Sequence, residues 1–287
     1  MFVLKNGAVQ KAGEARLSVF EHGFMYGLGQ FETFRVYDGH PFLLDEHMIR
    51  LERGLLEMNI KWTYDRDLVR TQIKKVLSAN NWKNAYVRFN VSAGPGPLGL
   101  DQGQYDHPEV IIYAKPLEEC TGVHLLPKKG QILETKRNTP ESEVRLKSHH
   151  YFNSILGKNE IRGLSGTEGL FLTKEGYVAE GIVSNIFWKK GTTLYTPAVK
   201  TGILPGITRK AVMLLAEKRG YYIREGCFSK KMLIEAEEAF VTNSIQEISP
   251  LLGIDKQTYP FHSGISFELA SDYAEARRSA WSFKDLL

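Results

Sequence analysis

Cysteine is scarce in this chain: Cys120 and Cys227 alone among 287 residues, with no C-x-x-C spacing and no disulfide framework. That scarcity fits a reducing compartment. Long apolar runs are also missing, and nothing approaches the ~20 consecutive residues a membrane span needs. The opening MFVLKNGAVQKAGEARL carries charge too early for a signal peptide and lacks an apolar centre. A cytoplasmic protein is expected. No block of five or six like charges occurs and the formal net charge is +4. Neither nucleic-acid nor membrane-surface binding is implied. The eight histidines form no H-E-x-x-H and no histidine–cysteine cluster, so a metal site is not expected. GPGPLG lacks the G-K-[ST] ending of a phosphate loop and does not match the dinucleotide fingerprint. No internal repeat and no low-complexity segment is found.

What is present is the composition of an enzyme-sized globular protein, 43% hydrophobic and 24% charged. A chain of this length buries roughly 75% of its unfolded surface and needs no staples. MFVLKNGAVQ reads as a hairpin turning at Asn6-Gly7, and FETFRVYDGHPFLL repeats the form at Asp38-Gly39. DEHMIRLERGLLEMNI changes to a helical period, with Met48, Leu51, Leu55 and Met58 on one face. YDRDLVRTQIKKVLSAN is a second helix with Leu68, Ile73 and Val76 inward. AYVRFNVSAG and PEVIIYAKPL are strands around the turn-rich GPGPLGLDQGQYDHP. Polarity rises at KPLEECTG, which makes residues 116–122 a domain boundary. Beyond it come VHLLP, a helix opening just after Lys147, the runs GLFLT, IVSNIFWKK and TLYTP, the helix GITRKAVMLLAEKRG, and EAFVTNS. The alternation is mixed α/β without a regular βαβ repeat.

Five stretches could carry chemistry. In RLKSHHYFNSILGKNEIR, Lys147 is either a solvated charge beside a capped helix or an amine nucleophile at the mouth of a site. In GILPGITRK, the Pro205-Gly206 turn leads into a helix whose first N–H groups have no intrahelical partner, with Thr208 close by. This outlines a phosphate cradle, and it equally describes plain capping. YVAEGIVSN places Glu180 beside Gly181 between apolar runs, where a buried carboxylate needs a partner such as a protonated ring nitrogen. FVTNSIQEISP runs a strand into the small donors Thr242, Asn243 and Ser244. Arg50 and His47 share a helical side, and arginine suits bidentate recognition of phosphate or carboxylate. Taken singly, each stretch also has an ordinary structural explanation.

Their order is more specific. NGAVQ, YGLGQFETFRVYDG, HMIRL, LKSHHYFNSILGKNE, EGIVSNIFW, YTPAVKTGILPGITR and TNSIQEISP together resemble the class IV, or fold-type IV, pyridoxal-phosphate enzymes over nearly the whole chain. That family includes branched-chain aminotransferases, D-amino-acid aminotransferases and 4-amino-4-deoxychorismate lyases. The resemblance implies a two-domain α+β fold with pyridoxal 5′-phosphate at the domain interface. Residues 1–117 would be a smaller N-terminal domain, 118–122 a linker, and 123–287 the larger cofactor-binding domain. It implies that Lys147 forms the Schiff base with the cofactor and that Glu180, 33 residues on, pairs with the pyridine nitrogen. Arg50, Ile207 (through its N–H), Thr208 and Ser244 match the phosphate-binding positions. His150 or Tyr151 would face the cofactor's phenolic oxygen, a role left open. Arg35, Arg88 and Arg137 are candidates for substrate carboxylates without an assignment.

QFETFR is more similar to the F-E-T-[IF]-R of the lyases than to the F-E-G-I-R of branched-chain aminotransferases. SAGPGPLG lacks the R-x-H pair of D-amino-acid aminotransferases. GLG stands where GDG is common, so the aspartate of that turn is replaced by Leu28. The likeness implies a lyase giving 4-aminobenzoate and pyruvate, with a branched-chain or D-amino-acid aminotransferase as the alternative. A homodimer acting on a small molecule is the family expectation.

Overall fold

The structure is a computed structural model that describes residues 1–99, 103–123, 125–260 and 264–287. Residues 100–102 of the GPGPLGLDQGQYDHP loop and His124 of VHLLP lie outside the described residues. By its contacts the chain divides into two units. The first holds Met1–Glu119, Lys147–His150 and Arg278–Ser282, and the second holds the remainder.

The first unit contains β1 (Phe2–Lys5), β2 (Ala8–Lys11), α1 (His22–Tyr26), β3 (Gly29–Tyr37), β4 (His40–Pro41), α2 (Leu44–Glu57), α3 (Arg66–Asn80), β5 (Ala85–Ser92) and β6 (Glu109–Pro116). Among the described residues these strands form one antiparallel sheet in the order β2-β1-β6-β5-β3-β4. Both expected two-residue turns are present. Asn6 and Gly7 have φ of 48° and 83°, and Asp38 and Gly39 have 45° and 85°, the left-handed pairs that a tight hairpin requires. Strand alternation gives the sheet one apolar face. Phe34, Val87, Phe89 and Ile112 pack there with Met48, Leu51 and Leu55 of α2. Met58 follows α2 as its cap and lies half-buried against the same core.

One inward position differs from expectation. Leu68 is 54% exposed, while Val69, Ile73, Val76 and Leu77 are buried. From residue 73, position 69 is about 40° away around the helix and position 68 about 140° away. Asp65 caps α3 by accepting from the Leu68 N–H, which fixes that phase.

The second unit contains β7 (Lys128–Ile132), α4 (Phe152–Glu160), β8 (Thr167–Leu172), β9 (Val178–Gly181), β10 (Asn185–Lys190), β11 (Thr193–Pro197), α5 (Ile207–Lys218), β12 (Tyr222–Gly226), α6 (Lys230–Ile234), β13 (Glu238–Asn243), β14 (Glu247–Ile254), β15 (Gln257–Thr258) and α7 (Ile265–Ala276). Its mixed sheet runs β12-β11-β10-β13-β14-β7-β8-β9, with β15 on β14. β10 and β13 are buried on both faces. Phe187 stacks on Phe240 at 5.3 Å, and Ile186, Trp188 and Val241 join the opposite cluster. Such strands read as short continuous apolar runs, as Ile186-Phe187-Trp188 does. The strand near VHLLP begins only at Lys128, after that stretch.

Two further expectations change around Lys147. The helix does not open beside it: α4 starts at Phe152. Residues 147–149 are instead paired with β3, where Phe31 N–H donates to Lys147 O and His149 N–H to Gly29 O, each at 3.1 Å. A β-bridge and a helical turn need different backbone angles, so the helix is delayed. The same pairing groups Lys147–His150 with the first unit, although the sequence suggested one C-terminal block over 123–287. No described helix is long and apolar enough to cross a membrane.

Candidate active site

In the first unit, the Lys147 Nζ lies 4.8 Å from the centre of the Phe31 ring. The Arg88 guanidinium stands 3.4 Å from the same ring and His149 stacks beside it. Phe31 and Asn90 are cross-strand partners, and Asn90 Oδ1 faces both His149 Nε2 at 3.0 Å and Arg88 Nη2 at 3.3 Å. Burial, aided by Arg88, pushes the His149 imidazole down to about 4, so it is neutral at pH 7.

The adjacent histidines meet the two glycines of GLG separately. A Cβ at Gly29 would lie 2.5 Å from His149, and one at Gly27 would lie 2.8 Å from His150. Leu28 turns into the apolar core in place of the expected turn aspartate. His150 is exposed, and Tyr151 is the N-terminal cap residue of α4.

On the opposite face of β3, buried Glu32 accepts from Arg50 Nε at 2.7 Å, Arg50 Nη2 at 2.8 Å and His47 Nδ1 at 2.7 Å. Arg50 therefore directs one edge of its fork at a carboxylate of its own chain. Burial pushes the His47 imidazole down, against the pull of Glu32. Burial alone would raise the Glu32 carboxyl, but Arg50 and His47 outweigh it and hold the group at about 2.

A carboxylate below its unfolded value of 4.5 stabilises the fold at neutral pH, here by on the order of 3 kcal/mol. That contribution is complete above about pH 4.5 and disappears as pH falls through about 2. Melting temperatures of wild type and Glu32→Gln should differ at pH 7 and converge near pH 2. A gap that stays constant with pH would refute this electrostatic account.

In the second unit, Glu180 at the end of β9 is buried. Its Oε1 accepts from Arg137 Nε at 2.8 Å and lies 3.8 Å from Arg145 Nε. Its Oε2 accepts from Leu204 N–H at 3.0 Å and Asn185 Nδ2 at 3.5 Å. Burial pushes its carboxyl up, against the pull of Arg137 and Arg145. An added cationic N–H would favour the ionised form.

Asn185 also donates to Leu204 O at 2.9 Å, which fixes the segment leading into α5. Gly206 packs on Asn185 so closely that a Cβ would sit 2.0 Å from its Oδ1. No side chain caps α5, which leaves the first-turn N–H groups of Ile207 and Thr208 to a ligand or water. Thr208 Oγ1 and Ser244 Oγ, 36 residues apart, meet at 3.2 Å. Arg209 ties the same turn to Pro197 O and Glu225.

Ile207, Thr208 and Ser244 are thus assembled with Glu180 in the second unit, and Lys147 and Arg50 belong to the first. Of the arginines considered for substrate, Arg137 is engaged by Glu180, and Arg35 donates to Glu118 O at 2.9 Å. No local sequence signal marks Arg145, Asn185 or Glu32, because each depends on a partner distant along the chain.

The donor set of the second unit fits the phosphate and ring of pyridoxal 5′-phosphate: an uncapped helix start with two hydroxyls for a dianion, and a buried carboxylate for a pyridinium. The class IV aminotransferase family matches residues 29–254, and the chain belongs to that family of pyridoxal-phosphate enzymes. The chain is 44% identical to the aminodeoxychorismate lyase of Bacillus subtilis, over 90% of this chain and 88% of that one. It is 29% identical to the D-alanine aminotransferase of Bacillus licheniformis, over 90% of each. The crystal structure of the Escherichia coli branched-chain amino acid aminotransferase superposes with a TM-score of 0.85 at 27% identity, covering 96% of this chain and 94% of the other.

Proposed function

We propose that the chain is a 4-amino-4-deoxychorismate lyase that produces 4-aminobenzoate and pyruvate. The observation that carries this reading is its 44% identity to the Bacillus subtilis lyase, against 29% to D-alanine aminotransferase over a similar span. In this reading Lys147 Nζ attaches the cofactor. The N–H of Ile207 and the hydroxyls of Thr208 and Ser244 hold its phosphate, with Arg50 as a further contact. Glu180 keeps a proton on the ring nitrogen.

When bound, the cofactor supplies an aldehyde for the substrate amine and a ring that accepts electron density. Lys147 would remove the proton from the carbon bearing nitrogen and would return one to the departing enol. Aromatisation of the remaining ring drives the elimination, and no second amino acceptor is needed. Arg88 lies over the Phe31 ring that Lys147 also faces. We therefore assign Arg88 to a substrate carboxylate.

The test is pyruvate release from 4-amino-4-deoxychorismate, run beside amino transfer from branched-chain and D-amino acids to α-ketoglutarate. Pyruvate is the expected product. Robust transfer without pyruvate would favour the second reading, a class IV aminotransferase, which the 0.85 TM-score to the branched-chain enzyme keeps in view.

We also infer a cytoplasmic homodimer. Phe24 and Leu98 are 77% and 76% exposed. The segments carrying them are tied together by Gly96 N–H to Phe20 O and Gly99 N–H to Tyr26 OH. Exposed apolar side chains on two linked segments suit a contact surface. Light scattering should give twice 32.6 kDa for wild type, and Phe24→Glu should shift the population towards 32.6 kDa. A monomeric wild type would overturn the inference.

A further inference from the structure

Two turns of the second unit carry the proposed cofactor contacts, and a buried ion pair lies between them. The first turn follows β13. Asn243 Oδ1 accepts from the N–H groups of Ile245 at 3.0 Å and Gln246 at 2.8 Å, which fixes the loop that presents Ser244. Gln246 Oε1 accepts in turn from Asn243 Nδ2 at 3.1 Å and from Lys128 Nζ at 2.7 Å. The second turn joins β9 to β10 and lies between Glu180 and Asn185. It closes by Gly181 N–H to Ser184 O at 2.7 Å. Ser184 Oγ donates to Glu168 Oε1 at 2.9 Å, and Lys128 Nζ donates to Glu168 Oε2 at 2.7 Å. A Cβ at Gly181 would fall 2.6 Å from Glu168 Oε1, so this turn rests directly on the carboxylate.

The side chains of Lys128 and Glu168 are 13% and 5% exposed. Apolar residues of similar volume would join β7 to β8 as stably as a buried ion pair does. What the pair adds is direction, because each hydrogen bond fixes one turn at a set distance and angle.

We propose that Lys128 and Glu168 are positioning residues that set the Ser244 turn against the Glu180 turn, matching the phosphate and ring ends of the cofactor site. This rests on the cofactor contacts proposed above. The Gln246 arm governs the phosphate end and the Ser184 arm governs the ring end.

The test is absorbance titration of the full chain with pyridoxal 5′-phosphate and with pyridoxal, which lacks the phosphate. Gln246→Leu should weaken pyridoxal 5′-phosphate about tenfold and leave pyridoxal within twofold. Ser184→Ala should shift the absorption maximum of the bound aldehyde and keep the ratio of the two affinities. Lys128→Met should do both, and Lys128→Arg should recover most of each. Equal losses for both aldehydes in Gln246→Leu, or an unshifted spectrum in Ser184→Ala, overturn the proposal. These two variants decide it even if Lys128→Met fails to fold. A wild-type chain that takes up neither aldehyde overturns the cofactor contacts themselves, and the relay with them.

Discussion

Lys147→Ala should lose turnover by at least about a thousandfold, the scale of a lost acid–base group, while its melting temperature changes little. The backbone of residue 147 is held through its carbonyl and through His149 N–H, and alanine keeps both bonds. The contact of its side chain with the Phe31 ring is worth about 0.5–1 kcal/mol at a partly exposed site. Borohydride reduction of wild type followed by peptide mapping should place the cofactor mass on Lys147. Label on another lysine would overturn the assignment, and so would near-normal turnover of the alanine variant.

Glu180→Gln should retain cofactor and lose about a hundredfold in rate, because an amide cannot hold a proton on the ring nitrogen as a carboxylate does. The substitution also leaves the Arg137 and Arg145 guanidinium groups without their counter-charge in a buried setting. Their mutual repulsion then goes unbalanced, and melting should fall by several degrees, consistent with removing one partner of a buried pair. The two effects separate experimentally: Arg137→Met should lower stability with a smaller loss of rate. An unchanged rate in Glu180→Gln would remove the electron-sink role.

Local signals were legible wherever one segment decided its own structure. Asn6-Gly7 and Asp38-Gly39 have turn chemistry that suits one geometry, and the α2 stripe is set by spacing alone. Leu68 reads as inward because α3 could begin in either of two phases, and the Asp65 cap selects between them. The delayed start of α4 could not be read from RLKSHHYFN. Its local helix signal is real, but pairing with β3 overrides it, and that partner is more than a hundred residues earlier. Thr208 and Ser244 were legible as residue types, and their 3.2 Å meeting was not. Arg137 could be taken for a substrate ligand because its engagement by Glu180 depends on the fold of β9. Family resemblance supplied the candidate site residues in this chain, and the tertiary pairings supplied their neighbours.

The lysine-bearing strip at 147–150 closes the margin of a sheet built almost entirely from the first 116 residues. Cutting the polypeptide after Glu119 would therefore strand the Lys147 amine on the wrong fragment: one piece would keep an empty berth along β3, and the other would carry the amine without its aromatic neighbour. Amide protons at Phe31 and His149 should accordingly exchange in step with the amino-terminal sheet, despite the long stretch of sequence that parts them.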